Sequence, residues 1–168
     1  MKVLEAMKSG YRLLKEKKVS SYMLDSEVLL SKTLKKTREE IMINLEQNLS
    51  DKEVLIFNEY LVRRSRNEPI AYILKEKEFW SKKFYVNKNT LIPRPETELL
   101  VDKLANIYRN KRITLLDIGT GSGCIILSLL SELKESSGIA VDISNKTIPV
   151  AKKNALNFKL FDRIKFFN

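Results

Sequence analysis

Leu4, Met7, Tyr11 and Leu14 fall at steps of three, four and three, and so predict an amphipathic helix at the start of the chain. Ser20 or Ser21 can cap a second helix, in which Leu24 and Val28 share a face with Leu30 and Leu34 beside them. Thr37-Arg-Glu-Glu40 has the form of a capping box and predicts a short helix through Ile41 to Leu45. Ser50-Asp-Lys-Glu53 repeats that form and opens a longer helix lined on one side by Val54, Phe57 and Leu61. Pro69 disfavours helix at Glu68 and stops the run. Residues 1–68 therefore read as a small helical bundle whose apolar stripes form its core. Its expected role is docking a partner or covering a site rather than chemistry.

The period changes after residue 69. Glu78-Phe-Trp-Ser-Lys-Lys-Phe-Tyr-Val86 is aromatic and β-prone, and predicts a hairpin over 69–92 that links two domains, with Phe79 and Trp80 packing at the joint. In Thr90-Leu-Ile-Pro-Arg-Pro-Glu-Thr-Glu98, Pro95 suits a first helical position, and Glu96 and Glu98 suit the positive end of the following helix. Leu100, Leu104 and Ile107 are expected to bury that helix. Two rigid prolines around an arginine suggest that Arg94, Pro95 and Glu96 form a wall beside a site. The plainer reading is a solvated Arg94 and a Glu96 that only favours the helix dipole.

From there strands and helices alternate, which predicts an α/β domain with parallel strands over 93–168. Ile113 to Ile118 reads as a strand covered on both faces, and Cys124 to Leu133 as a helix. Gly138 to Asp142 reads as the next strand, and Asn145 to Asn157 as a helix with Val150, Ala151 and Ala155 inward and Pro149 in its first turn. Ile164 to Phe167 starts a third strand.

Asp117-Ile-Gly-Thr-Gly-Ser-Gly123 joins the first of these strands to its helix, where open α/β sheets bind ligands. A dinucleotide fingerprint would need glycine or alanine where Cys124 stands, and a P-loop would need Gly-Lys-Ser/Thr. Alternating glycines after an aspartate resemble instead the first motif of class I S-adenosylmethionine-dependent methyltransferases. That cofactor has no pyrophosphate but carries an ammonium and a sulfonium, which a carboxylate favours. Asp142 follows Gly119 by 23 residues, near the roughly 20 expected of an acid that accepts from ribose hydroxyls. Gly119, Thr120, Gly121, Ser122, Gly123, Asp142 and Asp117 are the candidate cofactor residues. The bland alternative is a tight turn with a solvated Asp142.

Composition narrows the chemistry. The 168 residues are 43% hydrophobic, enough for a core, with no apolar run long enough to span a bilayer. The N-terminus lacks the apolar segment of a signal peptide. A single cysteine excludes an internal disulfide and fits a reducing, cytoplasmic compartment. With no histidine, triad chemistry is excluded within the chain and no metal site is expected. The net charge of +10 admits an RNA or ribosomal partner or simply a lysine-rich surface, since the basic residues are spread along the chain.

Glu68-Pro-Ile-Ala-Tyr-Ile73, Glu78-Phe-Trp80, the 90–98 run, the glycine motif and Val141-Asp-Ile-Ser144 occur in an order that resembles the release factor glutamine methyltransferases, the HemK family. The resemblance covers essentially the whole chain, and the 90–98 run is its family-specific part. It implies an N-terminal helical substrate-docking domain, a hairpin linker and a Rossmann-like domain whose C-terminal half is missing. It implies methyl transfer from S-adenosylmethionine to the side-chain amide of the glutamine in the Gly-Gly-Gln motif of peptide chain release factors, by a monomer without membrane or direct nucleic-acid substrates. Gly119 to Gly123 would hold the methionine part and Asp142 the ribose. The family's catalytic Asn-Pro-Pro-Tyr is absent, because Pro69, Pro93, Pro95 and Pro149 form no Pro-Pro pair. The chain is thus expected to be a front portion without catalytic residues and without activity by itself. It is also expected to leave its first parallel strand as an exposed apolar edge. The alternatives are a non-catalytic module that docks a release factor or ribosomal partner, and a nucleic-acid adenine methyltransferase.

Overall fold

A computed structural model describes residues 1–168, which divide into two units, Met1–Leu74 and Lys75–Asn168. The first unit is helical: α1 (Val3–Glu16), α2 (Tyr22–Leu34), α3 (Arg38–Ile43), α4 (Asp51–Ser65) and α5 (Ile70–Leu74). Both capping boxes form. Thr37 Oγ1 accepts from the Glu40 N–H and the Glu40 carboxylate accepts from the Thr37 N–H, and Ser50 and Glu53 do the same for α4. Such reciprocal caps satisfy N–H groups that the first helical turn leaves open. Phe57 and Leu61 enter the core with Met7, Leu14, Leu29, Leu30 and Ile41. Helices α1 and α2 cross closely at Gly10, where a Cβ would lie 2.1 Å from Ser26 Oγ.

The second helix is rotated from its expected face. Leu24 is 47% exposed, whereas Leu29, Leu30 and Leu34 are buried. Side-chain pairing explains the rotation. Asp25 and Glu27 are buried, and Arg64 Nε donates to Asp25 at 2.7 Å while Tyr11 and Arg38 donate to Glu27. A carboxylate tolerates burial when it is paired and hydrogen-bonded. Ser21 holds the N-cap position, but its hydroxyl donates to Asp25 rather than capping the helix. Helix α3 ends at Ile43, short of Leu45, and α5 is a further short helix that begins directly after Pro69.

The second unit opens with an antiparallel hairpin, β1 (Glu76–Phe79) and β2 (Lys82–Tyr85). Its two-residue turn, Trp80 and Ser81, has positive φ at both positions, the backbone of a type I′ turn. Trp80 is an unusual residue for that conformation. Its N–H donates to Glu98 and its indole N–H to Glu132, both at 2.9 Å, which fastens the turn. Phe79 and Phe84 enter the core of this second unit.

After a 3-10 turn at Pro95–Thr97 come α6 (Glu98–Ile107), β3 (Thr114–Ile118), α7 (Cys124–Glu132), β4 (Ser137–Val141), α8 (Ile148–Asn157), a second 3-10 turn and β5 (Ile164–Phe167). The strands form one parallel sheet in the order β3-β4-β5, as in a truncated Rossmann-like domain. Helix α6 buries Val101 and packs Leu104 and Ala105, while Leu100 and Ile107 stay about half exposed. Its apolar stripe is wider than the surface of α7 that it packs against.

Strand β3 is not covered on both faces. Helices α7 and α8 pack on the face that carries Gly138, Ala140 and Ile164. Gly138 lets α7 sit close, since a Cβ there would lie 2.7 Å from Ile126 Cδ1. The alternate residues Leu116 and Ile118 point the other way and are 61% and 80% exposed. Strand β3 also lies at the sheet edge. No helix in the chain is long and apolar enough to cross a membrane.

An apolar edge of this kind favours association between copies. Leu116→Lys is expected to reduce concentration-dependent light scattering of the chain, while its folding stability changes by no more than about 0.5 kcal/mol, as is usual for an exposed position. Unchanged scattering would show that the edge does not drive association.

Candidate functional site

The site forms where β3 and β4 end side by side. The segment from Gly119 to Gly123 joins β3 to α7, and Asp142 follows β4 directly. The loop is held mainly by backbone. Gly119 N and Thr120 N both donate to Val141 O, at 2.8 and 3.0 Å, and Gly123 N donates to Thr120 O at 2.8 Å. Gly119, Gly121 and Gly123 all have positive φ, which other L-residues adopt only with strain. At Gly123 space is short as well, because a Cβ would lie 2.9 Å from Leu127 Cδ1. At Gly119 nothing lies within 4 Å of that position, so the backbone there faces open space.

Asp142 closes the loop from the second strand. Its Oδ2 accepts from Gly121 N and its Oδ1 from Ser144 N, both at 3.0 Å. These bonds use two of about four acceptor positions on the carboxylate, and the rest of its capacity suits hydroxyl donors. Asp117, at the end of β3, accepts from Thr120 Oγ1 at 2.9 Å. Burial pushes the Asp117 carboxyl above its ordinary value, with the Asp142 charge adding to the effect and the Thr120 bond opposing it. Cys124, at the start of α7, has its thiol pushed up by burial, so it stays protonated and is a poor nucleophile.

Beside the loop lies a cavity of about 340 Å³ lined by Ile118, Gly119, Val141, Asp142, Ile143 and Asn168. Aliphatic walls with the Asp142 carboxylate and the Asn168 carboxamide suit a flat ring system attached to hydroxyls. The loop, Asp117 and Asp142 are thus brought together as the spacing suggested. Arg94, Pro95 and Glu96 are exposed and do not line this cavity. Glu98 belongs to the Trp80 turn rather than to the loop.

The sequence reading missed Asn154. It lies on the buried face of α8 with Val150, Ala151 and Ala155, and is itself fully buried. Its Nδ2 donates to Ser122 O at 2.8 Å and to Tyr85 O at 2.9 Å, and its Oδ1 accepts from Tyr85 N at 2.7 Å. A polar residue at i+3 and i+4 from inward Ala151 and Val150 was the available signal.

Comparison with known proteins adds to this geometry. Residues 5–74 match the family model of the PrmC N-terminal domain, and residues 94–167 that of ribosomal protein L11 methyltransferase (PrmA). The chain is 46% identical to a release factor glutamine methyltransferase of Buchnera aphidicola over 85% of its own length and 52% of the relative's. It is 39% identical to a bifunctional methyltransferase of Rickettsia felis over 89% of its length and 34% of the relative's. The chain therefore spans about half the length of the former and a third of the latter. Among solved structures, the ribosomal protein L11 methylase of Lactobacillus delbrueckii is 24% identical, with a TM-score of 0.40 over 49% of this chain and 42% of that one.

The raised Asp117 carboxyl fixes a sign. Its charged form is penalised in the folded state only, so folding takes up a proton between the ordinary value and the raised one. Stability contributed by this group is greatest at acid pH and is lost as pH rises through that window. Asp117→Asn is expected to stabilise the unliganded chain relative to wild type, by an amount that grows from acid to neutral pH. Urea unfolding of both proteins across that range checks it, and a constant difference would contradict the burial argument.

Proposed function

We propose, from the homology of this chain to the N-terminal part of the release factor glutamine methyltransferases, that it is the cofactor-binding portion of an S-adenosylmethionine-dependent protein-glutamine methyltransferase. The transfer would be to the side-chain amide of the glutamine in the Gly-Gly-Gln motif of peptide chain release factors. The observation that carries the cofactor is the loop's pair of carboxylates. Asp117 and Asp142 flank a glycine loop; Asp142 lines the neighbouring cavity with Ile118, Val141, Ile143 and Asn168, and Asp117, beside the loop, is raised by its own desolvation. A ligand with a positive centre relieves that strain. A dinucleotide or a free phosphate, being anionic, would worsen it.

S-adenosylmethionine supplies an electrophilic methyl group on a sulfonium, together with an ammonium, an adenine and two ribose hydroxyls. The chain's residues match these parts by chemistry. Asp142 has acceptor capacity for the ribose hydroxyls, and Gly119 offers backbone that a ligand can approach. Ile118, Val141 and Ile143 offer apolar surface to a ring. Thr120, Gly121, Ser122 and Gly123 shape the loop towards the methionine part, with Asp117 near its charge. Arg94, Pro95 and Glu96, exposed on the 3-10 turn before α6, are free to meet a protein substrate. Residues 1–68 would dock the release factor.

Methyl transfer to an amide nitrogen needs groups that accept the amide hydrogens and aim the nitrogen at the methyl group, a positioning effect worth several kcal/mol, on the order of 7 to 11 at most. Residues 1–168 contain no Asn-Pro-Pro-Tyr to do this. We therefore expect them to bind the cofactor and, alone, to transfer no methyl group.

Calorimetric titration with S-adenosylmethionine is expected to show binding to the wild-type chain, weakened at least about tenfold in Asp142→Ala through loss of charged hydrogen bonds. Absence of binding to the wild type, or unchanged affinity in the variant, would contradict this assignment. Incubation of the chain with a release factor and radiolabelled cofactor is expected to leave the factor unlabelled. Labelled glutamine would show that residues 1–168 suffice for catalysis.

A further inference from the structure

The hairpin and the glycine loop are far apart in sequence but meet at one side chain. We infer that Asn154 is a positioning residue that locks the carbonyl of Ser122, inside the loop, to strand β2 of the hairpin, so that the loop and the hairpin hold or lose their geometry together. The link of this lock to cofactor affinity rests on the function proposed above. The lock itself does not.

The carboxamide is fully used. Both Nδ2 hydrogens are donated, one to Ser122 O at 2.8 Å and one to Tyr85 O at 2.9 Å. Oδ1 accepts from Tyr85 N at 2.7 Å. The network also settles the amide's orientation, because a flipped amide would set its oxygen against two carbonyl oxygens. Asn154 is fully buried on an otherwise apolar helix face, where an unsatisfied amide is costly. The amide is satisfied only while Tyr85 and Ser122 are both in place, and movement of either leaves buried polar atoms without partners.

The consequences reach both sides. Ser122 lies between Gly121, whose N–H donates to Asp142, and Gly123, whose N–H donates to Thr120 O. Fixing the Ser122 carbonyl therefore fixes a peptide in the middle of the loop, where three glycines would otherwise allow many conformations. On the other side Tyr85 closes β2, and the segment after it is tied to α8 a second time, by Thr147 Oγ1 donating to Asn89 O at 2.9 Å. That second tie does not involve the loop. It serves as a control for the effect of loosening α8 from the hairpin alone.

The test is amide hydrogen exchange, followed residue by residue in the 168-residue chain, for wild type, Asn154→Ala, the isosteric Asn154→Asp and Thr147→Val. The amide of Ala140, inside the parallel sheet, reports global unfolding. Asn154→Ala is expected to speed exchange at Tyr85, Gly121 and Gly123, and Asn154→Asp, which keeps an acceptor for the Tyr85 N–H but loses both donations, at Gly121 and Gly123, by at least about tenfold relative to Ala140, the loss of a buried hydrogen bond or two. Thr147→Val is expected to leave Gly121 and Gly123 unchanged. The same loosening is expected to lower the affinity for S-adenosylmethionine in both Asn154 variants. The inference is overturned if the Asn154 variants accelerate every amide equally, Ala140 included, because that is a role in global stability only. It is equally overturned if the loop amides stay protected. If the wild-type chain does not bind S-adenosylmethionine, the cofactor reading fails, while the exchange pattern still decides the role of Asn154.

Discussion

The second unit depends on a loop that three glycines make possible and hydrogen bonds make definite. Left to itself, a segment with three positive-φ glycines has high conformational entropy, and ordering it costs about 1 to 2 kcal/mol per residue. The protein offsets that cost with hydrogen bonds from three directions. Val141 O takes two loop N–H groups from the end of β4, the Asp142 carboxylate takes a third, and Asn154 holds a carbonyl from α8. The parallel register of β3 and β4 is what puts these acceptors within reach, since it aligns Ile118 with Val141. The loop is thus a product of the sheet, and the ligand site is a product of the loop.

Holding the loop this way has an electrostatic consequence. Asp142 is drawn toward backbone N–H groups, and Asp117 is half-buried nearby with Thr120 as its side-chain donor. An anionic ligand is disfavoured by that arrangement, whereas neutral hydroxyl donors can use only the remaining acceptor capacity of Asp142. A cationic one gains twice, by its own attraction and by relieving Asp117.

The two units solve the burial of charge differently. In the helical unit, buried carboxylates on α2 are paired with Arg64, Arg38 and Tyr11, which favours one packing of that helix over its alternatives. In the α/β unit, Asp117 accepts from Thr120 and from the backbone at Ile126 beside the glycine loop, with no cation paired to it as in the helical unit. The apolar face of β3 is a third case, in which Leu116 and Ile118 remain in water because the helices cover only the opposite face.

Local chemistry was legible in the sequence. Both capping boxes, the hairpin, the glycine loop and the placement of Asp117 and Asp142 beside that loop follow from short-range rules, because turns, caps and strand ends depend on a few adjacent residues. Long-range pairing was not legible. The rotation of α2 follows from Arg64, which lies 39 residues from Asp25. The narrower burial of α6 follows from how little of its apolar stripe α7 covers, which leaves Leu100 and Ile107 about half exposed. Asn154 joins Ser122 across 32 residues and Tyr85 across 69, and no periodicity in α8 records either partner. The sequence by itself determined which segments are helices, strands and turns, and that Asp117 and Asp142 stand beside the glycine loop. Only the tertiary structure decided which faces are buried and which side chains hold the loop, because those choices depend on what each segment meets in space.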